Sequence, residues 1–217
     1  GVNLRSELGV KLHQEWTRWK KWQPTRPVPG QPALQQGNVQ LLDQVESLSR
    51  TKNLNTYVMI MGAPYWANGS NDQVYMQGNG SPTNPEFQQY VKDYGNFVYQ
   101  IVSTYKGRID HWEIGSEYDL ADYWHTDQPT SVQQRAAGYA LMLKEAYSRA
   151  KEANPQSVIS MGGITGFSSD EFMRNFYQNG TKPYFDKAGI HPYTEVWEGA
   201  SIQPSQSPLF SKIGSMR

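Results

Sequence analysis

The sequence has no cysteine among its 217 residues. That absence removes disulfide staples, thiolate catalysis and cysteine-ligated zinc together. It does not argue against export, and a secreted or periplasmic location is the expectation. An excess of either charge is missing too: 20 Lys+Arg balance 20 Asp+Glu. The chain therefore lacks the electrostatic footprint of a nucleic-acid or anionic-membrane partner, and neither is expected. No run approaches the ~18 apolar residues of a membrane helix. The first residues, Gly1 to Gly9, lack the apolar centre of a secretory leader, so the expectation is a soluble chain.

Aliphatic residues are scarce. Counted with glycine and without tyrosine, apolar residues make up about 39% of the chain, below the usual ~45–50%. Disorder does not explain the deficit, because 7 Trp, 14 Tyr and 7 Phe are too many for an uncollapsed chain. Aromatics, Gln, Asn and Ser stand in for the missing aliphatics. That mixture suits an uncharged polar ligand held by stacking and hydrogen bonds, and sugars fit the description. The length suits one domain with a sizeable core.

The order of elements says more than any single one. Residues 10–16 read as a strand, followed by Trp19, Trp22 and a Pro/Gly-rich loop over 23–32. Leu41, Leu42, Val45 and Leu48 recur at helical spacing within 38–54. The continuous apolar run 57–62 reads as a strand covered on both faces. A long Gly/Asn/Ser/Pro loop leads to a helix that starts at Asn84–Pro85 and runs to about Tyr105. Then come a strand at 109–115, an acidic and aromatic loop at 116–128, and a helix at 131–153 stopped by Asn154–Pro155. A strand at 157–162, a helix at 169–179 and a strand at 185–193 follow. Five strands alternating with four helices imply a parallel sheet with right-handed crossovers. The long loops all follow strands, the asymmetry of a (β/α)8 TIM barrel. A doubly wound open sheet competes, but its Gly-rich phosphate turn is absent after the first strand. Gly162-Gly163-Ile164-Thr165-Gly166, the nearest match, has the wrong spacing. A complete eight-fold barrel takes ~250 residues, so residues 1–217 read as a segment of a larger catalytic domain.

His111-Trp112-Glu113-Ile114-Gly115-Ser116-Glu117-Tyr118-Asp119 is the most informative stretch. With a side-chain period of two, His111, Glu113 and Glu117 share one parity and Trp112 and Ile114 the other. The apolar pair would face helices and the carboxylates the barrel lumen. Glu117 falls where the strand ends, beside Asp119. Partial desolvation and a neighbouring acid raise a carboxyl pKa, the condition for a general acid.

Trp112-Glu113-Ile114-Gly115-Ser116-Glu117 resembles the fourth-strand motif of clan A glycoside hydrolases, Trp-Glu-(aliphatic)-Trp-Asn-Glu-Pro. Three further segments resemble the same family in the same order. Leu8-Gly9-Val10 with Trp19-Lys20-Lys21-Trp22-Gln23-Pro24 matches the second strand, and Pro64-Tyr65-Trp66-Ala67 the turn after the third. Phe185-Asp186 through Ile190-His191-Pro192-Tyr193 matches the sixth. The resemblance covers about residues 4–197. It implies a retaining glycosidase on a β-linked oligosaccharide or polysaccharide, with two glutamates ≈5–5.5 Å apart. Glu117 takes the place of the acid/base. Trp66, Ser116, His191 and Tyr193 take places that contact sugar. No cofactor is implied. Ser116 replaces the usual Asn, Gly115 the usual Trp, and Tyr118 the usual Pro. Gln14 stands where the second strand often carries Arg. The seventh-strand nucleophile is not found, since Glu195 and Glu198 fall in a sixth-strand loop.

Plainer readings compete. Glu117 can be a solvated loop acid, and Glu113 an inward carboxylate paired to Lys or Arg. Trp66 divides between a stacking platform and a loop anchor. Asp119, Asp122, Trp124 and His125 form either a substrate-facing lip or a surface loop. No metal is expected, because His13, His111, His125 and His191 never fall at i, i+4 and no His-Glu-x-x-His occurs. The other functional class is a non-hydrolytic carbohydrate-binding protein derived from a glycosidase barrel.

Overall fold

A computed structural model of the chain describes residue 2, residues 9–165 and residues 169–191, without the side chain of Ser169. Five strands form one sheet: β1 (Leu12–Arg18), β2 (Asn55–Met61), β3 (His111–Ile114), β4 (Val158–Ile164) and β5 (Lys187–Ile190). All pairs are parallel and the strand order is strictly sequential. The crossovers carry α1 (Trp19–Trp22), α2 (Gln36–Thr51), α3 (Tyr65–Asn68), α4 (Pro85–Thr104), α5 (Val132–Ala153) and α6 (Ser169–Gln178).

Two observations separate barrel from open sheet. A doubly wound sheet reverses its strand order at a switch point, and this order never reverses. Its helices also lie on both faces, whereas here one face carries the helical core. Val58, Ile60, Trp112, Ile114, Ile159 and Met161 join Phe97, Val98, Ile101, Tyr139 and Leu143 in a single buried cluster. The opposite face holds a small separate cluster, Met59, Met61 and Val74, with Tyr123 packed on it. The architecture is a partial (β/α) barrel, with that second face as its inner wall.

Local chemistry accounts for the helix boundaries. Asn84 caps α4 by accepting from Glu86 N–H at 2.8 Å, with Pro85 preset at the first turn. Ser131 and Gln134 form a reciprocal capping box at the start of α5. β1 begins two residues later than the apolar pattern indicates, at Leu12 in place of Val10. Gln14 of β1 reaches inner-face Glu113, its amide lying 3.4 Å from Oε2.

The C-terminal ends of the strands are tied to the helices by tyrosines. Tyr94 of α4 donates to Ile60 O at 2.9 Å. Tyr139 of α5 donates to Ile114 O at 2.7 Å and accepts from Gly162 N–H at 2.7 Å. Both rings are 1% exposed. These hydroxyls add side-chain bonds to backbone groups near the C-terminal ends of the paired strands, beneath the functional loops.

Candidate active site at the ends of β3, β4 and β5

Glu117 lies three residues beyond β3, where strand parity no longer governs direction. The chain turns twice through left-handed backbone, at Gly115 (φ +77°) and at Glu117 itself (φ +54°). At Gly115 only glycine fits: a Cβ would stand 2.3 Å from the Tyr118 ring, which is buried against Trp124 and Tyr139. That ring fills the space next to the residue where the family pattern has tryptophan. A left-handed glutamate costs about 1–2 kcal/mol and persists only where its surroundings hold it. Here Glu117 N–H donates to Gly163 O at 2.8 Å, and its Oε1 lies 2.7 Å from His191 Nδ1. The residue is 6% exposed.

His191 follows β5, with its N–H donating to Ile164 O at 2.9 Å. Its ring crosses Gly163 so closely that a Cβ there would lie 2.3 Å from Nε2. Gly162 and Gly189 are equally constrained, facing the Gly115 and Gly163 backbones. The register of β4 and β5 shifts between Met161 and Ile164, a bulge of the kind that re-aims side chains beside functional sites. The glycine pair in β4 therefore does not cradle a phosphate; it lets β3, β4 and the imidazole meet.

The two other acids of this stretch have different partners. Glu113 is 1% exposed on the inner face. Its Oε1 accepts from Gly163 N–H at 2.7 Å, and Oε2 from the Tyr57 hydroxyl and, at 3.4 Å, from Gln14. Among the described residues no Lys or Arg pairs with it, which corrects the expectation of a cationic partner. Burial, then the charge and hydrogen bond of Glu113, push the Tyr57 pKa far above its usual value. Asp119 is fully buried, and its Oδ2 accepts from Thr165 Oγ1 at 2.7 Å and Thr165 N–H at 3.1 Å. Burial raises the Asp119 pKa; the Thr165 bonds oppose it and the charge of Glu117 adds to it. Asp119 thus ties the β3 loop to the end of β4 and is no part of a lip.

Two long loops, after β2 and after β3, are stitched above the inner face. Met76 N–H donates to His125 O at 2.7 Å, and His125 N–H to Val74 O at 3.1 Å. His125 Nδ1 lies 2.5 Å from Asp72 Oδ2. Trp124 is buried, edge-on to Phe87 and Tyr118, and anchors the loop. Asn68 is fully buried and donates to Asp72 O at 2.7 Å. The residue of this loop that sequence reasoning missed is Tyr123. It packs on inner-face Met59 and Met61, and the charge of Glu117, then burial and Asp122, raise its pKa. Only the turn that folds residues 117–124 back over the inner wall reveals it.

The structure brings Glu117 and His191 into contact, with Ser116 buried between Gly115 and Glu117. Trp66 is elsewhere. Its indole N–H donates to Gln23 O at 2.8 Å, its edge meets Trp19 at 5.4 Å, and the Arg26 guanidinium covers its face at 4.6 Å. These contacts join the loops after β1 and β2 at Trp66. Tyr193, with Glu195 and Glu198, lies outside the described residues. Among the described residues no group of His, Asp and Glu side chains has the clustering of a metal site, and no helix is long and apolar enough to cross a membrane.

Sequential parallel strands with the helices on one face are part of a (β/α)8 barrel, and similar solved structures are glycoside hydrolases. Solved structures that share it include a family 39 glycoside hydrolase from Bacteroides cellulosilyticus WH2, at TM-score 0.62 and 18% identity. That match covers 89% of this chain and 35% of the other. An exo-β-1,4-mannosidase, Op5Man5, from Opitutaceae bacterium strain TAV5 matches at TM-score 0.62 and 15% identity, over 96% and 36% of the two chains. A family 1 β-glucosidase from Thermotoga maritima matches at TM-score 0.52 and 14% identity, over 82% and 40%. This chain thus spans well under half the length of these glycosidases. No protein-family model matches the sequence, and no curated protein does.

Proposed function

We propose that the chain carries the acid/base part of a retaining β-glycosidase, with Glu117 as the general acid/base. The observation that carries this reading is the carboxyl of Glu117, held in left-handed backbone beyond β3 with Oε1 2.7 Å from His191 Nδ1. In a barrel that face is where catalytic groups stand. Glu117 protonates the leaving glycosidic oxygen, and its carboxylate then takes a proton from the attacking water. His191 orients the carboxyl, and Tyr123 lines the inner wall nearby.

The nucleophile is not Glu113, which is 1% exposed with both oxygens occupied. In this reading residues 1–217 supply strands two to six of a larger barrel domain, and the nucleophile comes from outside the described residues. The mannosidase and β-glucosidase among the similar structures make β-linked mannosides and glucosides the substrates to test first.

The full-length protein is assayed on β-1,4-linked gluco- and manno-oligosaccharides. Glu117→Gln is expected to abolish cleavage while leaving sugar binding nearly intact. Wild-type-like hydrolysis by that variant sinks the assignment. Absence of turnover by the native protein across the panel favours the carbohydrate-binding alternative.

A further inference from the structure

We propose that Glu113 is a positioning residue for Glu117, acting through Gly163. The inference rests on the reading of Glu117 as general acid.

Burying a carboxylate away from cations is costly unless its oxygens are well bonded. Glu113 is 1% exposed, and among the described residues its partners are Tyr57, Gln14 and Gly163 N–H, all neutral donors. Helix packing does not require an acid there, since Glu113 faces away from the helices. What the acid does hold is Gly163. The N–H of Gly163 donates to Glu113 Oε1 at 2.7 Å, and its C=O accepts from Glu117 N–H at 2.8 Å. The His191 ring lies on the same residue, within 2.3 Å of where a Cβ would be, and returns to Glu117 Oε1 at 2.7 Å. The four residues close a circuit: Glu113 to Gly163, Gly163 to Glu117, Glu117 to His191, and His191 back over Gly163.

The circuit stands at the bulge where β4 loses its register with β5. A bulge is locally under-paired and free to shift unless a side chain fixes it. Glu117 needs that fixing, because its φ of +54° is unfavourable for a residue with a Cβ. With Gly163 unpinned, Glu117 relaxes towards negative φ and its carboxyl leaves His191. Charge-assisted bonds to a backbone N–H are short and about twice as strong as neutral ones, so a carboxylate pins Gly163 better than a neutral side chain does. Glu113 touches no substrate in this scheme. It acts only through the placement of the acid.

Misplacing a general acid hurts substrates in proportion to their need for protonation. A natural sugar leaving group needs the proton, and a dinitrophenolate does not. The test compares kcat/KM for a β-linked oligosaccharide and for the dinitrophenyl β-glycoside of the same sugar, in the full-length protein. Glu113→Ala is expected to lower kcat/KM about 100-fold on the oligosaccharide and to leave the dinitrophenyl glycoside within about a few-fold. Glu113→Gln, which keeps an oxygen facing Gly163 N–H but loses its charge, is expected to recover part of the loss. An equal fall on both substrates, or no fall on either, overturns the proposal, as does a Gln variant as impaired as the Ala one. Should Glu113→Ala fail to fold, Tyr57→Phe, which leaves Glu113 Oε2 to the longer contact from Gln14, decides. A smaller split of the same sign supports the circuit and a uniform change refutes it. Glu117→Ala on the same pair separates the two claims. A split there without one at Glu113 sinks only the positioning role, and no split at Glu117 sinks the functional reading.

Discussion

Tyr139 offers the sharpest test of how the helices support the site. Replacing it with Phe removes one oxygen and leaves the ring packing against Tyr118 and Phe176 untouched. That oxygen serves two backbone groups, donating to Ile114 O and accepting from Gly162 N–H, each at 2.7 Å. The hydroxyl makes two hydrogen bonds, each worth about 0.5–1.5 kcal/mol net. Tyr139→Phe is therefore expected to destabilise the fold by about 1–3 kcal/mol. Tyr94→Phe is the matched control. Its hydroxyl makes one such bond, donating to Ile60 O at 2.9 Å, so the loss is about half as large, about 1 kcal/mol. Urea unfolding of the full-length variants, compared at constant m-value, measures both. Equal losses in the two variants, or a Tyr139→Phe cost below about 1 kcal/mol, refute the assignment of these hydroxyls as caps of the strand ends.

Other parts of the molecule respond differently. Burial alone raises the Asp72 pKa, but the bonds from His125 and Val74 N–H and the charges of His125 and Lys20 more than offset it, so it lies below its usual 3.8. A depressed carboxylate stabilises above its unfolded pKa and loses that contribution as pH falls through the folded one. Hydrogen-exchange protection in the loops after β2 and β3 is expected to fall below about pH 4, and Asp72→Asn to bring the lower protection to neutral pH. Unchanged protection down to pH 3 contradicts the clip. Trp66→Ala is expected to cost about 1–3 kcal/mol of stability through lost aromatic packing, with KM unaltered. A raised KM at unchanged stability returns Trp66 to the cleft. Gly115→Ala combines left-handed backbone with a clash on Tyr118, and is expected to destabilise by about 2–5 kcal/mol in thermal unfolding. A change within about 0.5 kcal/mol would show that the turn relaxes freely.

The barrel was legible because its signals are local and repeated. Apolar runs at β2 and β4, the Asn84–Pro85 start and the Ser131 cap each act within a few residues. The site was legible only in part. Glu117 and His191 were readable as strand-end residues, but not as partners, because their contact depends on Gly163 being free of a side chain. Parity failed past Ile114, where two left-handed residues redirect the chain. Glu113 called for a cation in the sequence and found Tyr57 and a backbone N–H, both brought by neighbouring strands. Trp66 reads equally as platform or anchor in the sequence, which does not encode its contacts with Arg26 and Gln23. Apart from that local turn past Ile114, each miss is a contact between segments distant in sequence, which no local pattern encodes.

In the proposed retaining reaction Glu117 protonates the leaving group and then activates water. Azide rescue of Glu117→Ala tests it most directly, with the full-length protein, an activated aryl β-glycoside and product analysis by NMR. Faster turnover with azide and a β-configured glycosyl azide as product are the predicted result. No rescue, or an α-configured azide, contradicts it.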